Sequence, residues 1–316
     1  MKSRYAAGLV YFLSVAFTLL LRISGSLWFY DLPGYENFFT LVGQILCFGV
    51  LAVAGYFIVG KQCRFDQIKP LCDEFNFKKC SLRNFGLTLA IAVPVVFLNF
   101  LVASVWANLV VLIGYVYPSP EAHDVTVATF FADVALTAVL PGIFEEISHR
   151  GLLFAGYRDS GSKVVVVSAL LFALMHQNIA QTGYTFFLGL ILAATVYYTG
   201  SILPAIFLHF FNNFVSVVMD YKTLNPLFGA FAAADNWLYS TTGGTVVLIL
   251  GALASAGILA VCLDAMRKRA VHDGMIPQGA RERAAVGALP LRKDVLLWIT
   301  VAMGVAATVF SWVWRS

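Results

Sequence analysis

The sequence predicts an all-α fold, a polytopic bundle of transmembrane helices. Of 316 residues, 60% are hydrophobic and only 12% are charged, whereas roughly a quarter of a soluble domain is charged. Apolar runs near the ~20 residues needed to cross a bilayer recur along the whole chain. Aromatic residues make up 15%, as expected for side chains at two membrane interfaces. These features exclude a soluble domain and make the lipid bilayer the first expected partner. No nucleic-acid-binding motif is visible.

The apolar runs predict about nine spans. The run at 85–116 is long for one straight span and contains Pro94, so we expect a kinked or tilted helix there, or a span plus an interfacial piece. The count therefore ranges from eight to ten. We treat residues 1–316 as a single membrane domain whose catalytic core is 126–219. The nine runs are 5–24, 38–59, 85–116, 126–157, 163–180, 183–199, 201–219, 243–263 and 294–313.

Basic residues predict the orientation of these spans. If the N-terminus is cytoplasmic, all of the 21 lysine and arginine residues except Arg22, Lys222 and Arg315 fall on the cytoplasmic side. Cytoplasmic loops of membrane proteins carry such an excess of positive charge. We therefore expect a cytoplasmic N-terminus, with basic cytoplasmic loops at 60–84 and 264–293.

The two basic loops and the cysteines give weaker signals. In loop 60–84, apolar residues recur at helical spacing, which fits either an amphipathic helix on the membrane surface or a solvated loop. Loop 264–293 is rich in glycine, proline and charge and is typical of a flexible connection. The five cysteines lack the spacing of a zinc knuckle, and we expect free thiols. The apolar residues of the first loop are Phe65, Ile68, Leu71, Cys72 and Phe75.

Four ionisable residues lie near the end of the run at 126–157. On a helix, Glu145 and His149 share one face, and so do Glu146 and Arg150. Ionisable groups within a membrane span are costly unless they pair or serve a function. We expect Glu146 and Arg150 to neutralise each other, which leaves Glu145 without an obvious partner. His149 either hydrogen-bonds the Glu145 carboxylate or faces lipid headgroups.

Two more histidines lie within later spans at similar depth. They are His176 and His209, and Asn213 follows His209 by four residues on the same helix face. A buried carboxylate beside histidines can deprotonate a water. A histidine and an asparagine on one face can donate hydrogen bonds to a developing oxyanion. These side chains suit attack of water on an amide. We interpret their polar neighbours as hydrogen-bonding infill: Gln177, Asn178 and Asn212.

Three motifs on successive predicted helices resemble those of the CPBP (Abi) family. This family contains CAAX prenyl endopeptidases and bacteriocin-processing or immunity proteins. The resemblance covers about 140–215 and matches in order and spacing. The motifs are Glu145-Glu146-x-x-x-Arg150, Phe172-x-x-x-His176 and His209-x-x-x-Asn213.

The resemblance implies an intramembrane endopeptidase that cleaves a membrane-associated or prenylated (CAAX-type) peptide or protein and needs no cofactor. By it, Glu145 activates the water with help from His176, while His209 and Asn213 form the oxyanion site. The remaining motif residues support that site, although the family commonly has an aromatic residue where this chain has His149. The supporting residues are Glu146, Arg150, His149 and Phe172.

Other functions stay open at this point. Glu145, His176 and His209 are competent zinc ligands, so a zinc-dependent metalloprotease is one alternative, although HExxH is missing. A transporter or proton relay, or an immunity protein that only binds, would use the same buried polar cluster without catalysis. For the leading interpretation we expect a prokaryotic plasma (inner) membrane, with the active site opening toward the cytoplasm, where the basic loops lie.

Overall fold

The computed structural model describes residues 2–29, 35–60, 68–117, 125–276 and 290–314. Every regular element in these residues is a helix, which confirms the predicted all-α fold. Within these described ranges, eight helices are long and apolar enough to cross a membrane: α1, α2, α4, α5, α7, α8, α10 and α11. In chain order the helices are α1 Arg4–Phe29, α2 Asn37–Ile58, α3 Ile68–Glu74, α4 Leu82–Leu112, α5 Val127–Ser160, α6 Lys163–Met175, α7 Ile179–Thr199, α8 Leu203–Asp220, α9 Pro226–Ser240, α10 Thr242–His272 and α11 Val295–Trp312.

The run predicted as a span at 163–180 forms the short helix α6 instead. Its 13 residues extend about 20 Å at 1.5 Å per residue, short of a ~30 Å hydrocarbon core. The helix ends because Gln177 adopts a left-handed backbone (φ 49°) and the side chain of Asn178 caps the start of α7. The other long run, 85–116, forms the single helix α4 with Pro94 inside it.

The central helix α5 carries the acidic pair and is irregular. Two wide π-type stretches, Val134–Val139 and Ile147–Leu153, flank an α-helical turn at Leu140–Glu146. Such stretches often occur at functional sites. A Cβ at Gly142 would lie 3.2 Å from the backbone nitrogen of Phe210, so glycine permits the close approach of α5 to α8.

Hydrogen bonds between distant segments define one end of the bundle, which we call the N-terminal end. Arg4, near the start of α1, bonds to Asp159 and, at 2.6 Å, to Ser160. The Ser201 hydroxyl, between α7 and α8, donates to the Lys78 carbonyl at 2.6 Å. The starts of α1, α4, α6 and α8 and the ends of α5 and α7 therefore lie together.

The opposite end, which we call the far end, is tied in the same way. The Arg22 guanidinium donates to the carbonyl of His176 at 2.9 Å. The Trp106 indole donates to the carbonyl of Ile179 at 2.7 Å. The ends of α1, α4 and α6 and the start of α7 therefore lie at the far end.

The described part of the first basic loop contains a short helix that packs on the bundle. Residues 61–67, including Phe65, lie outside the described residues. Ile68–Glu74 form α3, and Phe75 is buried, with its ring 5.5 Å from that of Tyr56. Leu71 also packs against the core. Gly151 leaves space for the Phe75 ring, so these residues pack against the N-terminal end of the bundle.

The second basic loop is shorter than predicted. Its first residues continue α10 to His272, with Asp264 and Lys268 paired at 2.7 Å on one helix face. Residues 277–289 lie outside the described residues. Helix α9 was not predicted, although the Asn225 side chain caps it before Pro226, a common helix start. The described cysteines are free thiols, as expected, and Cys63 lies outside the described residues: Cys47, Cys72, Cys80 and Cys262.

Candidate active site

A cavity of about 670 Å³ lies among α2, α4, α5, α7 and α8 and reaches the C-terminal end of α6. Residues from all three sequence motifs line it, although they lie on separate helices. The structure therefore brings together the four predicted catalytic residues and one supporting residue. These are Glu145, Phe172, His176, His209 and Asn213.

Glu145 has one engaged oxygen and one open oxygen. Its Oε1 accepts a hydrogen bond from Gln44 Nε2 at 2.7 Å. Its Oε2 is buried without a hydrogen-bond partner among the described residues and lies 3.9 Å from His209 Nε2. The expectation that Glu145 lacks a partner is therefore corrected by Gln44. The sequence did not reveal this contact, because Gln44 lies on another helix, 101 positions earlier.

Glu146 and Arg150 form the predicted ion pair. Arg150 Nη1 donates to Glu146 Oε1 at 2.8 Å, and both side chains are fully buried. Arg150 Nη2 donates to the Gly189 carbonyl at 2.9 Å, and Asn76 donates to the Arg150 carbonyl. Glu146 Oε1 also lies 2.9 Å from His209 Nδ1. The pair thus anchors α5 and orients the His209 ring.

His149 takes neither of its two predicted positions. Its side chain is fully buried, so it does not face lipid headgroups. Its Nδ1 lies 2.6 Å from the backbone carbonyl of Glu145, and not against the carboxylate. Its Nε2 lies 2.7 Å from the hydroxyl of Tyr11 on α1. Both ring nitrogens are therefore engaged.

The partners of the ring nitrogens fix the histidine tautomers. A carbonyl or carboxylate oxygen only accepts, so a nitrogen bonded to one carries the proton. His176 Nδ1 lies 2.8 Å from the Phe172 carbonyl, and His209 Nδ1 lies against Glu146. In both residues Nδ1 donates, and Nε2 is the nitrogen left for chemistry in the cavity.

Phe172 lies between the imidazoles. Its ring centroid is 5.0 Å from those of His149 and His176 and 5.5 Å from that of His209, each in an edge-on arrangement. The Arg150 guanidinium lies 4.7 Å from the same centroid. This one apolar ring therefore contacts all three imidazole rings and separates them from one another.

The asparagine of the third motif belongs to a small amide cluster. Asn213 Nδ2 donates to the Thr137 carbonyl at 3.0 Å, and its oxygen accepts from Asn212 at 3.1 Å. Asn99 on α4 donates to Asn212 at 3.0 Å. Asn212 also lines the cavity, and its interpretation as hydrogen-bonding infill stays a prediction. Gln177, bonded to the Val15 carbonyl, fits that interpretation.

A second cavity of about 310 Å³ adjoins the first from the side of α1. The two cavities share four lining residues, Thr40, Gln44, Glu145 and His176. Space therefore extends to both sides of the Glu145 carboxylate.

Several residues that line the larger cavity lie away from the basic loops. They are Thr137, Gln181 and Ser216, near the start of α5, the start of α7 and the end of α8. All three positions lie toward the far end, whereas the basic loops lie at the N-terminal end. The predicted opening of the site toward the cytoplasm stays a prediction.

In each of the three residues considered as zinc ligands, another group holds one polar atom of the side chain, and the second polar atom is left to the cavity. His209 Nδ1 and Glu145 Oε1 contact Glu146 and Gln44. Among the described residues, no group of three histidine, cysteine, aspartate or glutamate side chains meets in an arrangement that could hold a metal ion. The described site does not fit a three-ligand zinc centre, and we derive no step through a metal. Zinc dependence stays a prediction that a chelator tests.

The fold and the cavity define a class: an integral membrane protein with a carboxylate, two imidazoles and a carboxamide around a polar cavity within the helices. Residues 127–215 match the family model described as type II CAAX prenyl endopeptidase Rce1-like. The match spans the helices that carry all three motifs and confirms the resemblance predicted from them. It implies CAAX-type membrane protease activity in general. Comparison with curated proteins and with solved structures gave no match.

Proposed function

We propose that this protein is an intramembrane endopeptidase of a prokaryotic plasma membrane. It hydrolyses a peptide bond in a prenylated (CAAX-type) or other membrane-associated peptide, with Glu145 as the base that activates water. One observation carries the proposal. The Glu145 carboxylate is held by Gln44 through one oxygen, while its other oxygen is unpartnered, buried and directed toward His209 Nε2. A base so placed can take a proton from a water.

The reaction follows from the groups that face the cavity. Glu145 Oε2 takes a proton from water, and His176 Nε2, an acceptor, orients the same water. The resulting hydroxide attacks the carbonyl carbon of the scissile amide. N–H groups of His209 and Asn213 stabilise the oxyanion. The proton on Glu145 then passes to the amide nitrogen as the C–N bond breaks, which gives a carboxylic acid and an amine.

Charge balance supports the role of His209. Arg150 neutralises Glu146 at 2.8 Å, which leaves the charge of Glu145 to be balanced. His209 lies between the two carboxylates, 2.9 Å from Glu146 and 3.9 Å from Glu145. An imidazolium at this position would balance the charge, and its Nε2 would then donate to an oxyanion.

The shape of the space favours an endopeptidase. Such an enzyme must hold the substrate on both sides of the cleaved bond. The 670 Å³ and 310 Å³ cavities meet at Glu145 and His176. An extended peptide that passes from one cavity to the other crosses the catalytic carboxylate. Preformed cavities of several hundred Å³ are typical of ligand sites.

The test is cleavage of a fluorogenic prenylated CAAX peptide, and of its unprenylated twin, by detergent-purified protein. Wild type and Glu145→Gln are compared, each with and without a zinc chelator. Glutamine keeps the size of the side chain but cannot take the proton. We expect wild type to cleave with or without chelator, and Glu145→Gln to lose about 10²–10⁴-fold in kcat.

Each other result points elsewhere. Wild-type activity in Glu145→Gln would show that another group is the base. Loss of wild-type activity with chelator would favour the zinc-dependent alternative. If wild type cleaves neither peptide, the CAAX-type substrate is wrong, and membrane peptides of the same cell are tested next.

A further inference from the structure

The exposed residues that line the active-site cavity lie toward the far end of the bundle. These residues, which we call the rim of the cavity, are Thr40, Thr137 and Ser216, in the far-end portions of α2, α5 and α8. The second cavity has the same direction. Leu21 and Arg22, from the last turns of α1, line it. Both spaces beside Glu145 are therefore reached from the same end.

The N-terminal end below the site is packed. Arg150 and Leu152 are fully buried, and the Phe75 ring lies against Gly151. Asn76 closes this layer with its hydrogen bond to the Arg150 carbonyl at 2.9 Å. Helix α3 and the turn after it thus cover the catalytic residues from this side.

Positive charge is divided sharply between the two ends. In the described part of the chain, the far end has two basic residues: Arg22, which lines the second cavity, and Lys222. The N-terminal end has many more, and they lie on five different helices and the turns beside them. They include Arg4, Lys78, Lys79, Arg83, Arg158, Lys163, Arg267, Lys268, Arg269, Arg292 and Lys293. The end of α10 lies here because Lys268 and Arg269 line one groove with Arg83. The start of α11 lies here because Leu296 lies against Gly8 of α1.

We infer that the active site is entered from the extracytoplasmic side of the membrane, so that its substrates are peptides exposed on that side. Lysine and arginine near the ends of spans mark the cytoplasmic face, which places the N-terminal end in the cytoplasm. The cavity then opens away from the cytoplasm. The substrate class is the extracytoplasmic part of an exported or membrane-inserted peptide. That substrate class rests on the proposed protease function, whereas the side of entry does not.

Cysteine accessibility in intact cells tests the side of entry. Ser216 is exposed at the cavity rim, and Lys79 is exposed at the N-terminal end. The variants Ser216→Cys and Lys79→Cys therefore form a matched pair. Each is treated with a membrane-impermeant maleimide before and after permeabilisation, and labelling is counted above that of wild type. Cys80, beside Lys79, adds little background because burial raises the pKa of its thiol.

We expect Ser216→Cys to label equally in intact and permeabilised cells, and Lys79→Cys to label only after permeabilisation. The reverse pattern, labelling of Ser216→Cys only after permeabilisation, or equal labelling of both variants in intact cells would overturn the inference. The labelling needs no enzymatic activity. If labelling follows the expected pattern but purified protein cleaves nothing, the proposed function fails alone. If it cleaves but the labelling is reversed, this inference fails alone.

Labelling also gives an activity readout for the rim. Cells that carry either variant are treated intact with the bulky impermeant maleimide, and the protein is then purified and assayed on the prenylated peptide. An adduct at Ser216→Cys obstructs the mouth of the cavity. We expect treatment to lower the activity of Ser216→Cys and to leave that of Lys79→Cys at its untreated value. An unchanged activity of fully labelled Ser216→Cys would show that substrate does not enter at this rim.

Discussion

His149 and His176 have closely similar surroundings but different access to the cavity. In both, Nδ1 lies within 2.8 Å of the carbonyl four residues earlier. Both rings lie 5.0 Å from the ring of Phe172. The difference is at Nε2, which in His149 contacts Tyr11 and in His176 is left for the cavity.

This contrast separates a closed side of the site from an open side. On the closed side, Glu146, His149 and Arg150 are fully buried. Their side chains contact one another or groups on the neighbouring helices α1 and α7. On the open side, Glu145 and His176 each keep one atom available to a ligand. Residue type therefore does not decide which side chains are available to a ligand. What decides it is whether the second polar atom of the side chain already has a partner.

The largest expected effect separates the two histidines. His176→Gln removes an acceptor that faces the water, and we expect kcat to fall about 10²–10⁴-fold. His149→Gln leaves the cavity intact and breaks buried hydrogen bonds, which costs about 1–3 kcal/mol of stability. Steady-state cleavage and thermal unfolding in detergent measure the two effects. A larger loss of kcat in His149→Gln than in His176→Gln would contradict the division into sides.

The ion pair on the closed side gives the next effect, on stability. Glu146→Gln leaves Arg150 charged, buried and unpaired, which costs about 3–5 kcal/mol. Replacing both residues, as Glu146→Gln with Arg150→Met, removes the isolated charge and should recover part of the lost Tm. Thermal unfolding of the single and double variants measures this. A double variant that is less stable than Glu146→Gln would show that the Arg150 contacts with Gly189 and Phe172 outweigh the ion pair.

Local spacing explains what the sequence could predict about the closed side. Glu146 and Arg150 lie one helical turn apart, so their pairing follows from helix geometry alone. The three motifs also predicted which residues meet in the cavity. Tyr11 could not be predicted as the partner of His149, because the contact depends on how α1 packs on α5, 138 positions away. The short α6 depends on the backbone of Gln177, for which no sequence signal was visible.

The direction of the cavity was also beyond sequence reasoning. The sequence places the basic residues and the motif residues along each helix. It does not show which spaces between the helices are filled by side chains. Phe75 and Asn76 fill one end, and both belong to a segment whose apolar pattern fitted a membrane-surface helix equally well. Only the packed structure shows that this segment closes the bundle.

On the open side, we expect Gln44 to position the Glu145 carboxylate, and we expect its loss to have an intermediate effect on kcat. Gln44→Leu removes a hydrogen bond to a charged group, worth about 1.5–3 kcal/mol. We expect kcat to fall roughly 10–150-fold with little change in KM, because Glu145 loses its orientation. Leu46→Met, an exposed position on the same helix, is the control. A change confined to KM would instead make Gln44 a substrate-binding residue.

The smallest effect concerns Phe172, which contacts both sides. Phe172→Leu removes the edge-on contacts to three imidazoles, each worth about 0.5–1.5 kcal/mol beyond burial. Phe154→Leu makes the same change at a buried core position outside the site. We expect Phe172→Leu to lower Tm more than Phe154→Leu does, because it also loses these contacts. We expect Phe172→Leu alone to lower kcat, by less than about tenfold, which corresponds to about 1.4 kcal/mol. If the two variants have equal kcat, the ring only fills space, and the histidines are held in place by their Nδ1 hydrogen bonds.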